Sequence, residues 1–519
     1  MTVLEGADGF KTPAGNSRYG EELKWQAVPD HPGSQAVSSL TQRLCGNQGD
    51  PSTKLIHFTQ WARETPQPRY TALMGLLCDP EGLRDSFDSQ AGNKATGIDG
   101  VRKADYALDL GARLAALGQQ VRQSAYRPRP ARRTYIPKAN GKMRPLGIPC
   151  FEDRIVQDRL SGILQAIWEP EFRDCSYGFV RYAHPSLRSA PSASPLSCAL
   201  RAGRPGRNAR QALKRLGEVI TLDQTQWLVE ADIKGFFDHV DHDWLMKFLA
   251  HRIADPVLLR VIRRFLKAGV LEEGLLQPSE AGTPQGGLVS PVLANIYLHY
   301  VLDMWFEKRF ARSCRGRAKL IRYADDFVAC FTHEEDAKRF SEALIERLAE
   351  FALEVEPSKT ALLRFGSYAK RQCVKLGLKR PSTFDFPGFT HYVTESRSKR
   401  FMVGRKTQGS RISRKLKEVG MRLAKLRTSG GRAMMDYAKR HLQGHIAYFG
   451  ISGNSRSLRT YVYRVSRVLF KWLNRRSQRR SVNWARFGEV LKTWLPPVRI
   501  KHNLYPEPLW MTQAGSRMV

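Results

Sequence analysis

Two segments of the chain place aspartates beside apolar runs. Asp232 ends one apolar run, whereas Asp325 and Asp326 lie between two short runs of β-prone residues, Leu320–Tyr323 and Phe327–Phe331. The first pattern predicts a buried strand that ends at Asp232. The second predicts a β-hairpin with two carboxylates at its tip. The sequence therefore offers three carboxylates at the ends of strands.

Carboxylates between apolar strands are costly to bury unless cations neutralise them. Mg²⁺, a hard cation that takes oxygen ligands and retains water, is the simplest solution. Two such ions about 4 Å apart can activate a 3′-hydroxyl and hold a leaving pyrophosphate. On this hypothesis Asp232 and Asp325 bridge the ions and Asp326 supports them. An Asp-Asp pair in a turn is usually only solvated, so the pair by itself leaves both interpretations open.

The positive charge of the chain is concentrated in one segment. The chain has 519 residues and a net charge of +35. Residues 396–480 hold 24 basic and 2 acidic side chains, a net charge of +22, whereas residues 1–395 have a net charge of +10. Like charges at this density repel one another unless a polyanion is close. The segment therefore predicts a nucleic-acid partner, with a merely solvated basic surface as the alternative.

Apolar side chains in this basic segment recur at helical spacing. They predict three amphipathic helices, the first stopped by Gly430 and Gly431 and the second ended near 450–453. We expect the apolar faces to pack together and the basic faces to point outward. The predicted apolar faces are Ile412, Leu416, Val419, Leu423 and Leu426, then Met434, Ala438, Leu442, Ile446 and Phe449, then Leu458, Tyr461, Val465, Val468 and Trp472.

Length and composition exclude several classes of protein. A chain with 42% hydrophobic residues at this length can bury an ample core in two to four domains. The absence of any run of about 18 apolar residues excludes a transmembrane helix, and the first residues do not resemble a secretory signal. The eight cysteines form no CxxC pair, which is typical of reduced cysteines in a cytoplasmic protein. We therefore expect a cytoplasmic location and no membrane partner.

Several blocks of the sequence, in order, resemble one protein family. The strand before Asp232 and the Tyr-Ala-Asp-Asp box resemble the palm of reverse transcriptases, and the other blocks are similar to those of group II intron-encoded reverse transcriptases. The resemblance extends from about Arg69 to Trp472. The blocks are Arg144–Pro149, Asp153–Gln157, Ser176–Phe179, Trp227–Asp238, Gly282–Tyr297 and Tyr323–Asp326.

The resemblance implies an α/β protein with the right-hand polymerase fold. Fingers and a palm of mixed sheet with flanking helices would occupy residues 61–395, and the basic helices of 396–480 would form a thumb, or maturase X domain. Residues 1–60 are expected to be a partly disordered extension. The tail, 481–519, lacks the clustered His, Asn and Cys of an HNH endonuclease, and is expected to be a small remnant DNA-binding region or a packing tail.

The resemblance also implies an activity and its partners. The protein would be an RNA-directed DNA polymerase that copies an RNA template from a DNA or RNA primer with dNTPs. It would also bind its intron RNA as a maturase and assist splicing. The alternatives are a splicing cofactor that no longer polymerises, and a domesticated bacterial reverse transcriptase that serves host defence or repair.

Individual roles follow from the matching positions. Phe237 would close on the 2′ position of the incoming sugar, with an ordinary core Phe as the alternative. Gln285 would contact the nucleotide or the template pair, with a plain turn residue as the alternative. Lys359 has a family counterpart near the palm, but a structural salt bridge is equally open. The resemblance assigns the catalytic metal site, with two Mg²⁺ ions, to Asp232, Ile233, Asp325 and Asp326.

A cationic hairpin is predicted upstream, around an Asn-Gly turn in residues 135–144. The family uses the basic residues that match Lys138 and Arg144 to grip the triphosphate, and arginine can bind it bidentately. In a strict two-residue turn Lys138 would pair with Met143 and point away from the face of Arg144. Either the loop is wider, or Lys142 shares the role.

Two departures from the family pattern stand out. An apparent insertion, residues 180–203, is rich in Ser, Ala and Pro and is expected to be a mobile loop in the fingers. Pro387 stands where the family usually has Leu. Because proline removes a backbone donor from what should be a strand, modest local destabilisation is expected.

Overall fold

The computed structural model describes most of the chain from residue 69 onward. The predicted extension, 1–60, and the predicted insertion, 180–203, lie outside the described residues. So does Lys138. The described ranges are 69–137, 143–178, 207–396, 399–476 and 482–506.

The N-terminal part is a helical layer against a small mixed sheet, which we call the fingers. The sheet has the strand order β2-β1-β4-β5, with β1 and β4 parallel and the other pairs antiparallel. The strands are β1 Ala131–Pro137, β2 Met143–Ile148, β4 Val270–Glu272 and β5 Leu275–Gln277. The helices are α1 Met74–Leu77, α2 Pro80–Asp88, α3 Lys103–Ala107, α4 Leu110–Arg122 and α5 Phe151–Trp168.

The register of the β1–β2 hairpin answers the question about its loop. Pro137 pairs with Met143 and Ile136 pairs with Arg144. The strict two-residue turn would have paired Lys138 with Met143, so that version of the prediction is wrong by one residue. Five residues, 138–142, connect the strands. The wider loop is the alternative that the structure supports.

The central part, which we call the palm, is built on an antiparallel sheet with the strand order β6-β7-β3-β8. One face of this sheet packs into the main hydrophobic core, where α11 covers it, and the other face packs on α6 and a third sheet. The strands are β3 Trp227–Ala231, β6 Ala318–Tyr323, β7 Asp326–Phe331 and β8 Ala361–Arg364. The helices are α6 Ala209–Leu222, α7 Phe236–His239, α8 His242–Ala250, α9 Pro256–Lys267, α10 Ser290–Leu298, α11 Glu334–Ala349 and α12 Ala369–Lys375.

The helix that begins at Ser290 does not stay α-helical. After Leu298 it continues through two wider π-helical turns, His299–Asp303 and Phe306–Phe310. Such turns are rare and are often found at functional sites. Here the first of them ends at Asp303, whose side chain is fully buried.

The third sheet has the strand order β11-β10-β9 and follows the palm. The predicted boundary between residues 395 and 396 falls inside its β10–β11 hairpin, so the helical part begins only at residue 409. The strands are β9 Phe384–Phe386, β10 Phe389–Glu395 and β11 Phe401–Thr407.

Pro387 does not lie in a strand, so the predicted destabilisation is wrong. Phe386 pairs with Phe389, and Pro387 and Gly388 form the turn between β9 and β10. Gly388 has a φ of 88°. Proline followed by a residue of positive φ is the favoured composition of a type II turn. No strand hydrogen bond is lost, and the proline restricts the unfolded chain.

We expect Pro387→Ala to lower the free energy of unfolding by about 0.4–1 kcal/mol, because the unfolded chain gains freedom. Gly388→Ala should cost more, because alanine would have to adopt a positive φ. Denaturant titration of both variants measures the two effects. A Pro387→Ala variant that is more stable than the unmodified chain would contradict this interpretation of the turn.

The C-terminal part, which we call the thumb, contains the three predicted helices. They are α13 Gly409–Lys425, α14 Gly431–Phe449 and α15 Ser455–Asn474, and their apolar faces form a separate core. The end of the predicted face of α15 packs against this core, but it is not its most deeply buried part. Leu469 and Leu473 are buried there, whereas Val468 and Trp472 are only half-buried.

The described part of the tail packs on the rest of the protein. Helix α16, Trp484–Trp494, joins the thumb core through Phe487. Beyond it, Lys501 N donates to the Gly450 carbonyl at 2.7 Å. Leu504 N donates to Ser452 Oγ at 2.9 Å and its side chain enters the core beside the palm. Of the two predicted alternatives, these contacts fit a packing tail.

The predicted α/β class, with sheets flanked by helices and a helical C-terminal region, is confirmed. In the described ranges no helix combines the length and the apolar character needed to cross a bilayer.

Candidate active site

The palm sheet brings the three predicted aspartates together. Strand β3 runs antiparallel to β7, with Ala231 opposite Phe327. Asp232, the residue after β3, therefore lies beside Asp326, the first residue of β7. Asp325 lies in the turn that joins β6 to β7, as the hairpin prediction required.

The turn that carries Asp325 is held in an unusual conformation. Ala324 has a φ of 60°, in the left-handed region that residues with a side chain rarely adopt. It is also buried, and Gly178 lies against it. A Cβ atom at Gly178 would lie 2.2 Å from the Ala324 nitrogen, so only glycine fits there. Gly178 therefore supplies a surface against which the turn of Asp325 packs.

The three carboxylates interact strongly. Burial raises the pKa of Asp325, and the Asp232 carboxylate raises it further, while Lys359 and Arg144 oppose the rise. Burial also raises the pKa of Asp326, and the neighbouring carboxylates of Asp325 and Asp232 add to this effect. Negative charge accumulates at this point of the sheet. A bound cation would relieve the repulsion, and three carboxylates are the oxygen ligands that a hard divalent cation prefers.

Lys359 supplies part of the missing positive charge. It lies in a short helical turn, Pro357–Lys359, and its ammonium forms an ion pair with Asp232. Within the described residues no three acidic, His or Cys side chains converge as metal ligands do. Asp232 faces the lysine. Sequence reasoning left Lys359 open between a place near the palm and a salt bridge, and the structure shows a salt bridge to a predicted metal ligand.

The predicted role of Ile233 as a metal ligand depends on its main chain. Its side chain is buried, so only its carbonyl could reach a metal. The Asp232 carbonyl accepts from Glu356 N at 2.8 Å, and Lys234 N donates to the Glu354 carbonyl at 2.9 Å. Backbone groups of successive residues in a strand point to opposite sides. The Ile233 carbonyl therefore points to the other side, where the Asp325 turn lies.

One glycine-rich turn, 282–287, links the other predicted nucleotide contacts. Thr283 N donates to the Phe237 carbonyl at 2.7 Å, and Gly147 N of β2 donates to the Gln285 carbonyl at 2.7 Å. These two hydrogen bonds fix the turn between strand β2 of the fingers and helix α7, which contains Phe237. The Phe237 ring is half-buried.

Gly286 shows how closely the backbones approach at this turn. It has a φ of 121°, and a Cβ atom there would lie 2.4 Å from the Gly147 carbonyl oxygen. Arg144 lies on the same fingers strand as Gly147. Its side chain is exposed, and it is near enough to Asp325 to lower the pKa of that carboxyl. Arg144 thus lies near the aspartates, and the glycine-rich turn connects its strand to Gln285 and to the helix of Phe237.

Sequence reasoning missed two charged groups near the aspartates, one buried and one half-buried. Arg322, two residues before the Asp325 turn, is completely buried beneath it. Glu230 lies two residues before Asp232, and burial raises its pKa to about 7. The Asp385 amide donates to Glu230 at 3.2 Å, which connects the palm to β9. A charged residue inside an otherwise apolar strand was the available signal in both cases.

The thumb presents cations and aromatic rings on one surface, formed by α15 and α16. Helix α15 contains five basic residues and no acidic residue. Tyr463 and Trp484 are exposed, and the Arg467 guanidinium lies 5.3 Å from the Trp484 ring centroid. Cations combined with exposed aromatic rings are typical of surfaces that bind single-stranded nucleic acid.

The fold and the site define a class of protein. The carboxylates lie together at the end of an antiparallel palm sheet. Cationic fingers precede the palm, and a basic helical thumb follows it. This is the architecture of a template-directed polymerase.

Comparison with known proteins identifies the family. Residues 136–391 match the family described as "Reverse transcriptase (RNA-dependent DNA polymerase)". Protein YkfC of Escherichia coli (strain K12) is 34% identical over 300 residues, which span 52% of this chain and 72% of YkfC. The chain belongs to the reverse transcriptase family.

Other relatives are intron-encoded. The group II intron-encoded protein LtrA of Lactococcus lactis subsp. cremoris is 35% identical over 231 residues, 44% of this chain and 34% of LtrA. An uncharacterized 91 kDa protein in the cob intron of Schizosaccharomyces pombe is 36% identical over 189 residues, 36% of this chain and 20% of that protein. The resemblance to group II intron-encoded reverse transcriptases, predicted from the sequence, is confirmed. A nucleic-acid partner follows from the family.

Proposed function

We propose that the protein is the RNA-directed DNA polymerase of a group II intron and that it also binds the intron RNA as a maturase. The observation that carries the proposal is the meeting of Asp232, Asp325 and Asp326 at the end of the palm sheet. The confirmed resemblance to intron-encoded relatives supports the intron association. We also infer a cytoplasmic location, which the free cysteines among the described residues favour.

The palm residues would hold two Mg²⁺ ions, which supply activation of the primer 3′-hydroxyl and stabilisation of the leaving pyrophosphate. Asp232, Asp325 and Asp326 would hold the ions through their carboxylates, and Ile233 would offer its carbonyl. Lys359 pairs with one of the two Asp232 carboxylate oxygens, so a cation would compete with its ammonium for that carboxylate. Before a cation binds, Lys359 keeps the Asp232 charge neutralised, which lowers the cost of assembling three carboxylates.

The groups around the aspartates would bind the dNTP. Arg144, on the exposed face of β2, would grip the triphosphate, and Lys138 of the adjoining loop would assist. Phe237 would close on the sugar, where its half-buried ring limits space at the 2′ position. Gln285, fixed in its turn by the bond to Gly147, would contact the nucleotide or the template pair.

An assay of primer extension tests the polymerase function. The purified chain should extend a DNA primer on an RNA template with dNTPs and Mg²⁺, and EDTA should stop the reaction. A chain that binds intron RNA and promotes splicing but never extends a primer would instead be the splicing cofactor. A gene with no flanking intron RNA domains would favour a domesticated role.

The raised pKa values of Asp325 and Asp326 predict a pH-dependent metal requirement. Protons and Mg²⁺ compete for the same carboxylates, so fewer sites are ionised as the pH falls. The Mg²⁺ concentration for half-maximal extension should rise about tenfold between about pH 8 and about pH 6. RNA binding by the same preparation serves as the control. A Mg²⁺ requirement that is constant over this range would contradict the assignment of these carboxylates to the metal.

A further inference from the structure

Arg322 of β6 is buried directly beneath the turn that carries the catalytic aspartates. Its Nε and Nη2 donate to the two carboxylate oxygens of Asp303 at 2.7 and 2.5 Å. Its Nη1 donates to Asn295 Oδ1 at 3.1 Å and to the Ala324 carbonyl at 3.0 Å. Its Nη2 also donates to Ser176 Oγ at 2.8 Å. The guanidinium has five N–H groups, and five bonds use them all.

The bond to Ala324 reaches the catalytic turn itself. The Ala324 carbonyl belongs to the peptide group that precedes Asp325, so this hydrogen bond fixes the plane of that peptide. Asn295, a second partner of Arg322, donates from Nδ2 to the Gly178 carbonyl at 2.6 Å. Gly178 is the residue packed against Ala324. The network therefore holds the turn by a hydrogen bond and by the glycine that packs against it.

Stability alone does not explain this arrangement. Both Arg322 and Asp303 are 0% exposed, and the cost of removing two charges from water can exceed their mutual attraction. Apolar side chains of similar volume could fill the same space. They could not donate to the Ala324 carbonyl while anchored to a second helix. The planar, five-donor guanidinium can do both, and a lysine ammonium cannot.

The partners of the network come from two separate segments of the chain. Ser176 follows the fingers helix, whereas Asn295 lies on α10 and Asp303 ends the π-helical turn that continues α10. Arg322 joins them from β6. Ser176 lies 146 residues from Arg322 in the sequence, yet all these side chains meet at one guanidinium, one peptide group away from Asp325.

We propose that Arg322 is a positioning residue: through Ala324 and Gly178 it fixes the backbone of the catalytic turn and keeps Asp325 and Asp326 beside Asp232, where divalent cations would bind. Arg322 itself touches neither substrate nor metal. The activity part of this proposal rests on the proposed polymerase function.

The test compares Arg322→Lys with Tyr297→Phe, a control on the same helix as Asn295. Tyr297 is buried and donates to the Phe351 carbonyl at 2.8 Å, away from the turn. Arg322→Lys should lower kcat for primer extension about 30- to 100-fold with KM for dNTP within about twofold, because a small misplacement of catalytic groups costs about this much. Tyr297→Phe should lower Tm but leave kcat within about twofold.

A second readout does not depend on catalysis. Mn²⁺ binding to the protein, followed by electron paramagnetic resonance, should weaken about tenfold in Arg322→Lys and stay unchanged in Tyr297→Phe. If the unmodified chain extends no primer, the proposed function fails, but the Mn²⁺ comparison still tests the positioning role. If Arg322→Lys does not fold, Asn295→Ala keeps the Asp303 pair and should weaken Mn²⁺ binding about threefold or more. A folded variant of either kind with a lower Tm but unchanged kcat and Mn²⁺ affinity would overturn the proposal.

Discussion

Replacing Asp325 by alanine is expected to reduce RNA-templated primer extension by about a thousandfold or more, to the background of the assay. Asp325 lies at the tip of the β6–β7 hairpin, where it would hold the metal ions together with Asp232 and Asp326. Binding of the RNA template should stay within about twofold, because the thumb surface is unchanged. Primer extension and filter binding on one preparation measure the two results.

The control for Asp325→Ala is a variant that removes an aspartate outside the site. Asp243→Ala takes away a carboxylate that is 76% exposed and paired with Arg263 on the outside of α8. It should extend primers at the rate of the unmodified chain. Extension that survives in Asp325→Ala would show that the metal assignment is wrong, whereas equal loss in both variants would point to misfolding.

Removing three cations from the thumb is expected to weaken RNA binding by roughly tenfold to a hundredfold. The variant replaces Arg464, Arg467 and Lys471 by glutamine on one exposed side of α15. Each phosphate contact on a single strand contributes about 0.7 to the slope of log affinity against log salt, so three lost contacts should make the slope shallower by about 2. Fluorescence anisotropy with an intron RNA fragment, measured over a range of salt, gives both values.

A matched charge control separates this surface from the overall charge. Lys308, Arg309 and Arg312 are exposed on the palm, and replacing them by glutamine removes the same three charges. This variant should keep the salt slope of the unmodified chain within experimental error. If both variants weaken binding equally, net charge and not the thumb surface controls the affinity.

Local sequence patterns were sufficient to predict the strands that carry the aspartates and the helices of the thumb. The apolar run before Asp232 and the two runs around Asp325 are short, uninterrupted and flanked by turn residues, so periodicity and composition agree on strands. The thumb helices were equally clear, because apolar residues recur at 3.6-residue spacing among basic ones. At the end of α15, Val468 and Leu469 are adjacent apolar residues, and spacing alone did not show that Leu469 is the more deeply buried of the two.

Positions that depend on pairing were harder to predict. Pro387 looked like a defect in a strand, but the two flanking phenylalanines pair with each other and leave the proline in the turn. The β1–β2 hairpin differs by one residue from the register that its Asn-Gly pair favoured. In both cases the pairing of the strands, which composition alone does not give, decided where the turn lies.

The sequence by itself determined the carboxylates, the strands that carry them, the basic helices and the family. These are encoded locally, in the order of side chains along each element. Only the tertiary structure decided that Lys359 pairs with Asp232 and that Gly178 packs against Ala324. It also decided that Arg322 donates hydrogen bonds to Ser176, Asn295 and Asp303 beneath the catalytic turn. The physical reason is that the partners of a buried charged residue do not recur at a fixed spacing along the sequence. They are the groups that lie within hydrogen-bond distance in the folded core, where buried donors need acceptors.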